Sequence, residues 1–219
     1  MNDTEIWNAY NLLLAGPDTE RLRKLLARYE LFRRTQSLPG DIVEAGIFKG
    51  TGLMTWMKLL AIFAPGSAKR VVAFDLFEGF AESAAAHEKQ AVQDLLAEAA
   101  YRPLRPADIH ALIEAAGLPQ ERCEVLAGDI AESAPRYVDA NPGFRISLLH
   151  LDLDLEAPTL AALRALWPRV VPGGLVVFDE YAIPKWSESA AVDTWLASSG
   201  LRLRSLPWAR TPTAYAIKS

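Results

Sequence analysis

The sequence predicts an α/β fold built on a mainly parallel β-sheet. Helical stretches alternate with short apolar and β-branched runs, which recur at residues 42–43, 70–74, 124–126, 146–151 and 175–178. Strands that alternate with helices in this way are typical of parallel sheets joined by crossover helices. Because 51% of the 219 residues are hydrophobic, the chain can bury one sizeable core, and we expect a single domain over residues 1–219.

The helices can be placed from the spacing of their apolar residues. Within the sheet region we expect helices over residues 51–63, 106–116, 131–139, 158–167 and 188–198. The N-terminal segment, residues 1–38, is predicted to be helical. In its helix over 19–34, one apolar face would dock on the sheet and carries Leu22, Leu25, Leu26, Tyr29 and Phe32. We expect the arginines of this helix to lie on a solvated face.

Two segments depart from the simple alternation. Residues 201–205 and 213–217 both have strand character, and the short stretch between them predicts a terminal antiparallel hairpin. Residues 77–105 separate the second strand from its crossover helix and contain an alanine-rich, helix-favouring run. A long insertion of this kind is typical of an active-site lid. The alternative is a peripheral helix that only enlarges the fold.

The charge balance and the N-terminus exclude some classes of function. Lys and Arg total 23 against 27 Asp and Glu, so the formal net charge is -4 and no general field attracts a nucleic acid. The polar, acidic N-terminus lacks the pattern of a signal peptide, and no apolar run approaches the roughly 18 residues of a membrane span. We therefore expect a cytoplasmic protein with a small-molecule partner and no nucleic-acid or membrane partner. The single cysteine, Cys123, is expected to be a buried, inert thiol in a strand.

The first motif with chemical meaning is Glu44-Ala-Gly-Ile-Phe-Lys-Gly-Thr-Gly52, which follows a predicted strand and opens a predicted helix. Glycines allow a sharp turn and a close approach of the backbone to a ligand, and a helix N-terminus offers unpaired N–H groups to an anion. The spacing matches neither the dinucleotide fingerprint nor a phosphate-binding loop. It favours a nucleoside ligand held partly through its carboxylate. Glycines that only shape the turn are the alternative.

Two further acids follow predicted strands. Asp75, after Val71-Val-Ala-Phe74, would lie at the carboxyl edge of the sheet, where a carboxylate can accept hydrogen bonds from both ribose hydroxyls. Asp129, within Leu126-Ala-Gly-Asp-Ile130, could accept from an adenine amino group. Either acid could instead cap local structure, Asp75 at the turn that follows it and Asp129 at the next helix.

Acidic residues also follow the fourth and fifth predicted strands, in His150-Leu-Asp-Leu-Asp154 and Phe178-Asp-Glu-Tyr181. Neighbouring strands lie about 4.8 Å apart, so these carboxylates would repel one another unless they were protonated or neutralised by a cation. Oxygen ligands of this kind suit Mg²⁺, Mn²⁺ or Ca²⁺ better than zinc. The alternative is that these acids only solvate the loop ends. We expect His150 to pack within its strand rather than to touch the site.

These motifs, in this order, resemble the macrocin O-methyltransferase family, whose members methylate sugar hydroxyls in macrolide and aminocoumarin antibiotics. The similarity spans residues 29–197 and is carried by Pro39-Gly-Asp-Ile-Val-Glu-Ala-Gly46, Phe74-Asp-Leu-Phe-Glu-Gly-Phe80, Leu151-Asp-Leu-Asp154 and Asp179-Glu-Tyr181. The chain departs from the family pattern in two ways. Glu180 stands where Asp is usual, and no histidine follows Tyr181 as it does in some antibiotic-tailoring members. The longer Glu180 could still ligate a metal, whereas the missing histidine leaves the acceptor undetermined.

The resemblance implies a Rossmann-like class I methyltransferase sheet in the order 3-2-1-4-5-7-6, with N-terminal helices, an inserted helical lid and S-adenosylmethionine bound over the carboxyl ends of the first strands. The implied cofactor-binding residues are Glu44, Gly46, Thr51, Asp75, Phe77, Gly128, Asp129 and Ile130. By the same resemblance, Asp152, Asp179 and Glu180 would bind Mg²⁺ or a similar divalent ion. Asp154 would act as the general base, so the expected catalytic residues are Asp154 and Asp152.

The expected activity is the transfer of a methyl group from S-adenosylmethionine to a hydroxyl of a small-molecule acceptor, a sugar of a natural-product or polysaccharide pathway. Two other functions stay open. One is a catechol-type O-methyltransferase, which acts on a planar diol, and the other is a non-catalytic S-adenosylmethionine-binding protein whose acids are structural. A nicotinamide dehydrogenase is disfavoured because the glycine spacing is wrong. The sequence leaves open whether the chain forms a homo-oligomer.

Overall fold

A computed structural model of the protein describes residues 2–77, 79, 88–98, 102 and 104–219. Within these residues, a six-stranded sheet has the order β3-β2-β1-β4-β5-β6. The strands are β1 (Asp41–Ala45), β2 (Val71–Asp75), β3 (Cys123–Ala127), β4 (Ile146–Leu151), β5 (Val170–Phe178) and β6 (Ala214–Ile217). The first five strands run parallel, and β6 pairs with β5 in the antiparallel sense. The predicted α/β class with a mainly parallel sheet is confirmed.

Helices cover both faces of this sheet. The described helices are α1 (Asp3–Ala15), α2 (Glu20–Thr35), α3 (Thr51–Phe63), α4 (Glu88–Glu98), α5 (Pro106–Ala115), α6 (Ile130–Ala140), α7 (Glu156–Leu166) and α8 (Glu188–Ser199). Helices α2, α3 and α5 contribute to the core on one face, whereas α6, α7 and α8 contribute to the core on the other. The five helices predicted within the sheet region begin and end close to their predicted bounds. None of the described helices is long and apolar enough to span a membrane.

The strands supply both cores because successive side chains point to opposite faces. In β1, Val43 belongs to the core with α6 to α8, and Ile42 belongs to the core with α2, α3 and α5. Strand β4 lies inside the sheet and is buried along its whole length, Ile146–Leu151. At the start of β3, burial raises the pKa of the Cys123 thiol to about 12. The prediction of a buried thiol in a strand is therefore confirmed, and the raised pKa disfavours the reactive thiolate.

The predicted C-terminal hairpin is only partly correct. Its second strand is β6, but its first is reduced to one bridge, in which the backbone N–H groups of Arg204 and Tyr215 donate to each other's carbonyl oxygens at 2.8 and 2.9 Å. Two features end the pairing after Arg204. The chain turns where Ala209 N donates to Leu206 O at 2.9 Å, and Pro207 has no N–H for a ladder. In the described residues, the sheet therefore lacks the sixth strand, which the expected order 3-2-1-4-5-7-6 places at the edge. The strand named β6 here occupies the position beside β5 that was expected for the seventh strand.

The turn after β1 brings the loops of β1 and β4 into contact. Gly46 has a φ of +90°, and its N–H donates to the carbonyl of Phe74 on β2 at 2.9 Å. A Cβ at position 46 would lie 1.9 Å from the carbonyl oxygen of Asp152. Only glycine fits this approach without moving the backbone, so Gly46 fixes the position of the acidic loop that follows β4.

We expect Gly46→Ala to reduce the free energy of unfolding by about 1 to 3 kcal/mol more than Gly128→Ala, because the new methyl group must push against backbone. Gly128 is a matched control, since its φ of +119° is also left-handed but an added Cβ would meet no atom within 4 Å. Urea unfolding of both variants measures the difference. Equal losses would contradict close packing between Gly46 and the Asp152 backbone.

Candidate active site

The carboxyl ends of the parallel strands open into a cleft of about 910 Å³. Its walls include most of the predicted site residues, namely Glu44, Gly46, Thr51, Asp75, Gly128, Asp129, Ile130, Asp152, Asp154 and Glu180. Two predicted site residues are not in its walls. Asp179 is fully buried, and Phe77 packs against the core formed with α2, α3 and α5. The structure thus brings the predicted acids and the predicted cofactor residues other than Phe77 to one place.

Glu44 presents a buried carboxylate at the base of this cleft. The residue is 1% exposed, and its Oε1 lies 3.2 Å from His150 Nδ1. Its Oε2 is buried and has no hydrogen-bond partner among the described residues. A Cβ at Gly52 would lie 1.9 Å from Glu44 Oε1, so the glycine at the start of α3 makes room for the carboxylate. A buried acceptor without a donor is costly, and Glu44 is therefore suited to a ligand that donates.

Asp75 holds together the loop that follows β1 and the loop that follows β2. Its Oδ2 accepts hydrogen bonds from Ile47 N at 2.6 Å and Phe48 N at 3.2 Å, and its Oδ1 accepts from Phe77 N at 2.7 Å. Phe48 and Phe77 both have positive φ angles, of 51° and 60°. Asp75 therefore caps the turn that follows it, which was the alternative to a role in ribose binding. It also lines the cleft.

Asp129 lies at the far side of the cleft and caps a helix. Its Oδ1 accepts a hydrogen bond from Ala131 N at 2.8 Å, at the N-terminus of α6. The residue before it, Gly128, donates its N–H to the carbonyl oxygen of Asp75 at 3.0 Å. The ends of β2 and β3 are therefore tied together, and the second oxygen of Asp129 can still meet a ligand.

The predicted acids form two overlapping groups that share Asp152. One ligand atom each from His150, Asp152 and Asp179 lies within 4.8 Å of the others. The same holds for Asp152, Asp154 and Glu180. The acids after β4 and β5 therefore converge, as the strand ends predicted. We refer to Asp152, Asp154, Asp179 and Glu180 as the acid cluster.

Asp179 is the deepest member of the acid cluster and is paired with a lysine from the N-terminal segment. Lys24 Nζ lies 2.6 Å from Asp179 Oδ2 and 3.5 Å from Asp152 Oδ2. Burial disfavours the charged form of Asp179, but the Lys24 ammonium and the hydrogen bond to His150 outweigh it and hold the pKa of Asp179 well below its usual range. Burial likewise opposes the charge on Lys24, and Asp152 and Asp179 overcome it and raise the Lys24 pKa.

His150 joins Glu44 to the acid cluster, which corrects the expectation that it only packs within its strand. Its Nδ1 lies 3.2 Å from Glu44 Oε1 and its Nε2 lies 3.2 Å from Asp179 Oδ1. An ionised carboxylate only accepts hydrogen bonds, so both ring nitrogens must carry protons to satisfy both contacts. Burial opposes a charged ring, but the hydrogen bonds to Asp179 and Glu44 outweigh it and raise the pKa of His150.

Asp154 and Glu180 form the outer part of the acid cluster. Asp154 is 9% exposed and has a left-handed φ of 63°. Burial raises the pKa of Asp154 well above its usual range, and the neighbouring Asp152 adds to the effect. Burial, with the added repulsion of Asp179 and Asp152, raises the pKa of Glu180 to about 7. A cation placed between these carboxyl groups would favour their ionised forms.

Helix α2 contributes more to the site than its sequence predicted. Arg28 is only 5% exposed, and its NH2 lies 3.8 Å from Asp152 Oδ2 and 3.9 Å from Glu44 Oε1. The expectation that the arginines of this helix are solvated is therefore wrong for Arg28. Leu25 and Leu26, expected on the docking face, are 43% and 44% exposed. The buried side of α2 instead carries Ala27, Arg28, Leu31, Phe32 and Thr35.

The predicted lid, residues 77–105, lies partly outside the described residues. Its described helix, α4, contacts the site region: Val92 belongs to a small apolar cluster with Leu155 and Trp186, and Leu95 lines the cleft. This position fits a segment that covers the cleft. Whether it closes over a ligand stays a prediction.

Comparison with known proteins identifies relatives of the chain. It is 32% identical over 147 residues to the 8-demethyl-8-(2,3-dimethoxy-alpha-L-rhamnosyl)-tetracenomycin-C 4'-O-methyltransferase of Streptomyces olivaceus, in an alignment that covers 67% of this chain and 54% of that protein. It is 27% identical over 155 residues to the Mycinamicin III 3''-O-methyltransferase of Micromonospora griseorubida, covering 69% of this chain and 59% of that protein. The matched region thus spans little more than half of each relative.

A solved structure shows the same fold over nearly the whole chain. The calicheamicin methyltransferase CalS11 superposes with a TM-score of 0.80 and 27% identity, covering 99% of this chain and 93% of that one. This similarity confirms the methyltransferase fold expected from the sequence. The profile of the macrocin-O-methyltransferase (TylF) family matches residues 12–202, which include every site residue described above. The chain therefore belongs to the macrocin-O-methyltransferase family.

Proposed function

We propose that the chain is an S-adenosylmethionine-dependent O-methyltransferase that methylates a sugar hydroxyl with the assistance of a divalent cation. The observation that carries this proposal is a single cleft in which the loop after β1 and the acid cluster face the same space. Membership of the family supports the reaction. The relative from Streptomyces olivaceus is named for the O-methylation of a rhamnosyl-bearing compound, which supports a sugar as acceptor.

The cofactor fits the unsatisfied groups on the β1 side of the cleft. Glu44 Oε2, which is buried without a partner among the described residues, would accept from the amino group of the methionine part of S-adenosylmethionine. Gly46 would let the backbone approach this part of the cofactor. Asp75 would meet the ribose and Asp129 the adenine, since both line the cleft at successive strand ends.

We expect Glu44→Gln to weaken the binding of S-adenosylhomocysteine by about 10- to 100-fold, the effect of removing a charge-assisted hydrogen bond. The amide is close to the carboxylate in shape, so the contact with His150 is retained. Glu121→Gln, at an exposed position at the opposite end of the sheet, should leave the affinity unchanged. Isothermal titration calorimetry measures both. Unchanged affinity in a folded Glu44→Gln protein would sink the assignment of Glu44.

A divalent cation fits the chemistry of the acid cluster. Carboxylate oxygens are the ligands that Mg²⁺ and Mn²⁺ prefer, and those of Asp152, Asp154 and Glu180 lie within 4.8 Å of one another. The Lys24 ammonium already pairs with Asp152 and Asp179, so a cation is stable at this position. Asp152, which belongs to both groups of the cluster, would hold the ion together with Asp179 from the inner group and Glu180 from the outer group. When bound, the ion would supply positive charge to stabilise the negative charge that develops on the acceptor oxygen.

The residues around the cluster would perform the proton transfer and the positioning. Asp154 would take the proton of the acceptor hydroxyl as that oxygen attacks the methyl carbon, and the carbon–sulfur bond breaks to leave S-adenosylhomocysteine. Its buried position gives this carboxyl a raised pKa, which suits a group that must accept a proton. The shared cleft would hold cofactor and acceptor in line for the displacement.

Removal of the metal should abolish turnover of an identified sugar acceptor, and added Mg²⁺ or Mn²⁺ should restore it. Asp152→Ala should also abolish turnover but leave the protein folded, because loss of one acid relieves repulsion within the cluster. Methylation assays with and without a chelator, together with circular dichroism, test this. Full activity after exhaustive chelation would refute the metal, and cofactor binding without turnover of any hydroxylated acceptor in a panel would favour a non-catalytic binding protein.

Asp154→Asn should slow methyl transfer by about 10² to 10⁴-fold, the contribution typical of a general base. Cofactor affinity should stay within experimental error of the original protein. Asp139→Asn, at an exposed position on α6, is the control for loss of a carboxylate and should keep full activity. Single-turnover kinetics at saturating cofactor separate the chemical step from binding. An Asp154→Asn protein with an unchanged chemical step would exclude this residue as the base.

A further inference from the structure

Lys24 competes for the same oxygen atoms as the proposed divalent ion. Its Nζ lies 2.6 Å from Asp179 Oδ2 and 3.5 Å from Asp152 Oδ2. Mg²⁺ binds carboxylate oxygens at about 2.0 to 2.1 Å, so an ion shared by these two acids would occupy the space that the ammonium now fills. Two cations at this separation repel each other strongly. One of them must leave.

The part of α2 that carries Lys24 has little else to hold it. No residue of the segment 20–26 is fully buried, whereas Ala27, Leu31 and Phe32 later in the helix are in the core. The helix N-terminus is capped only locally: Thr19 makes no side-chain capping bond, and Glu20 N donates to Asp18 Oδ1 at 2.8 Å, a contact that does not tie the helix to the sheet. The ion pairs of Lys24 therefore anchor the first turns of α2, and the rest of the helix is anchored by apolar packing.

Arg28 lies one turn later than Lys24 and has a different role. Its side chain is buried, with NH2 at 3.8 Å from Asp152 Oδ2 and 3.9 Å from Glu44 Oε1. At these distances Arg28 NH2 forms no hydrogen bond with either oxygen, in contrast to Lys24 with Asp179. Arg28 can therefore stay in place when Lys24 leaves, and it still neutralises part of the cluster.

We propose that Lys24 is the resident cation of the acid cluster in the metal-free protein and that a divalent ion binds by displacing it, which releases the first turns of α2 from the cleft. This rests on the proposed function only in requiring that the cluster binds a divalent ion. Glu20, Arg21, Lys24 and Leu25 line the cleft, so their release widens the space available to an acceptor. Lys24 thus acts as a positioning residue that links metal loading to access.

The direct test is Mn²⁺ titration calorimetry on the full chain, saturated with S-adenosylhomocysteine. Lys24→Met keeps the length of the side chain and removes its charge, so it should bind Mn²⁺ about 5- to 150-fold more tightly, the usual range of coupling between two sites. Lys24→Arg keeps the charge and should bind as weakly as the original protein. Lys58→Met, on α3 and outside the walls of the cleft, is the matched control and should show no change.

Hydrogen exchange on the unmodified protein gives a second measurement, which does not depend on a variant that folds poorly after Asp179 loses its partner. Mn²⁺ should speed exchange of the amides of α2 that follow residue 20 and leave those of β4 unchanged. Equal Mn²⁺ affinity in the original and Lys24→Met proteins, or unchanged exchange in α2 at saturating Mn²⁺, would overturn the proposal that the ion displaces Lys24. Either result would leave the proposed metal site itself intact. No Mn²⁺ binding by either protein would overturn both the displacement and the proposed metal.

Discussion

The site depends on the neutralisation of acids that the sheet forces together. Parallel strands end at one edge, and here the residues after β4 and β5 place Asp152, Asp154, Asp179 and Glu180 in one cluster. Like charges at this distance repel strongly in a partly dry environment. The compensating charges come from elsewhere: α2 provides Lys24 and Arg28, and the interior of the sheet provides His150. The N-terminal segment is therefore part of the site and not merely a cover for the sheet.

A chain of buried contacts joins the cofactor side of the cleft to the acid cluster. Glu44 lies on β1, His150 lies on β4 and Asp179 directly follows β5. The ring nitrogens of His150 lie 3.2 Å from Glu44 Oε1 and 3.2 Å from Asp179 Oδ1. Gly46 adds a second connection through the backbone, because it packs directly on the carbonyl of Asp152. The two nitrogens of the fully buried His150 ring both face carboxylates. The charge on Glu44 is therefore coupled electrostatically to the charge on Asp179.

Most of the fold and the approximate position of the site could be predicted because they follow from local patterns. The alternation of strands and helices gave β1 to β5, and acids at strand ends gave the cluster. The reduction of the predicted strand 201–205 to one bridge at Arg204 could not be predicted, since the pairing depends on where a turn and Pro207 interrupt the ladder. Helical spacing alone placed Leu25 and Leu26 inwards, because a hydrophobic pattern gives no weight to a buried cation such as Arg28. Its burial depends on acids far away in the sequence, which only the folded chain brings near.

The substitution of Glu for the usual Asp at position 180 has a geometric consequence for the cluster. The backbone N–H of Glu180 donates to the buried Glu188 Oε1 at 3.0 Å, which fixes where the side chain starts. The extra methylene then extends the carboxyl group, and an oxygen of Glu180 lies within 4.8 Å of oxygens of Asp152 and Asp154. Both oxygens of Asp179, in contrast, already have partners in His150 and Lys24. Asp179 therefore becomes available to an added cation only when Lys24 leaves, and the longer side chain of Glu180 brings a further carboxylate oxygen close to Asp152, the acid that both groups share.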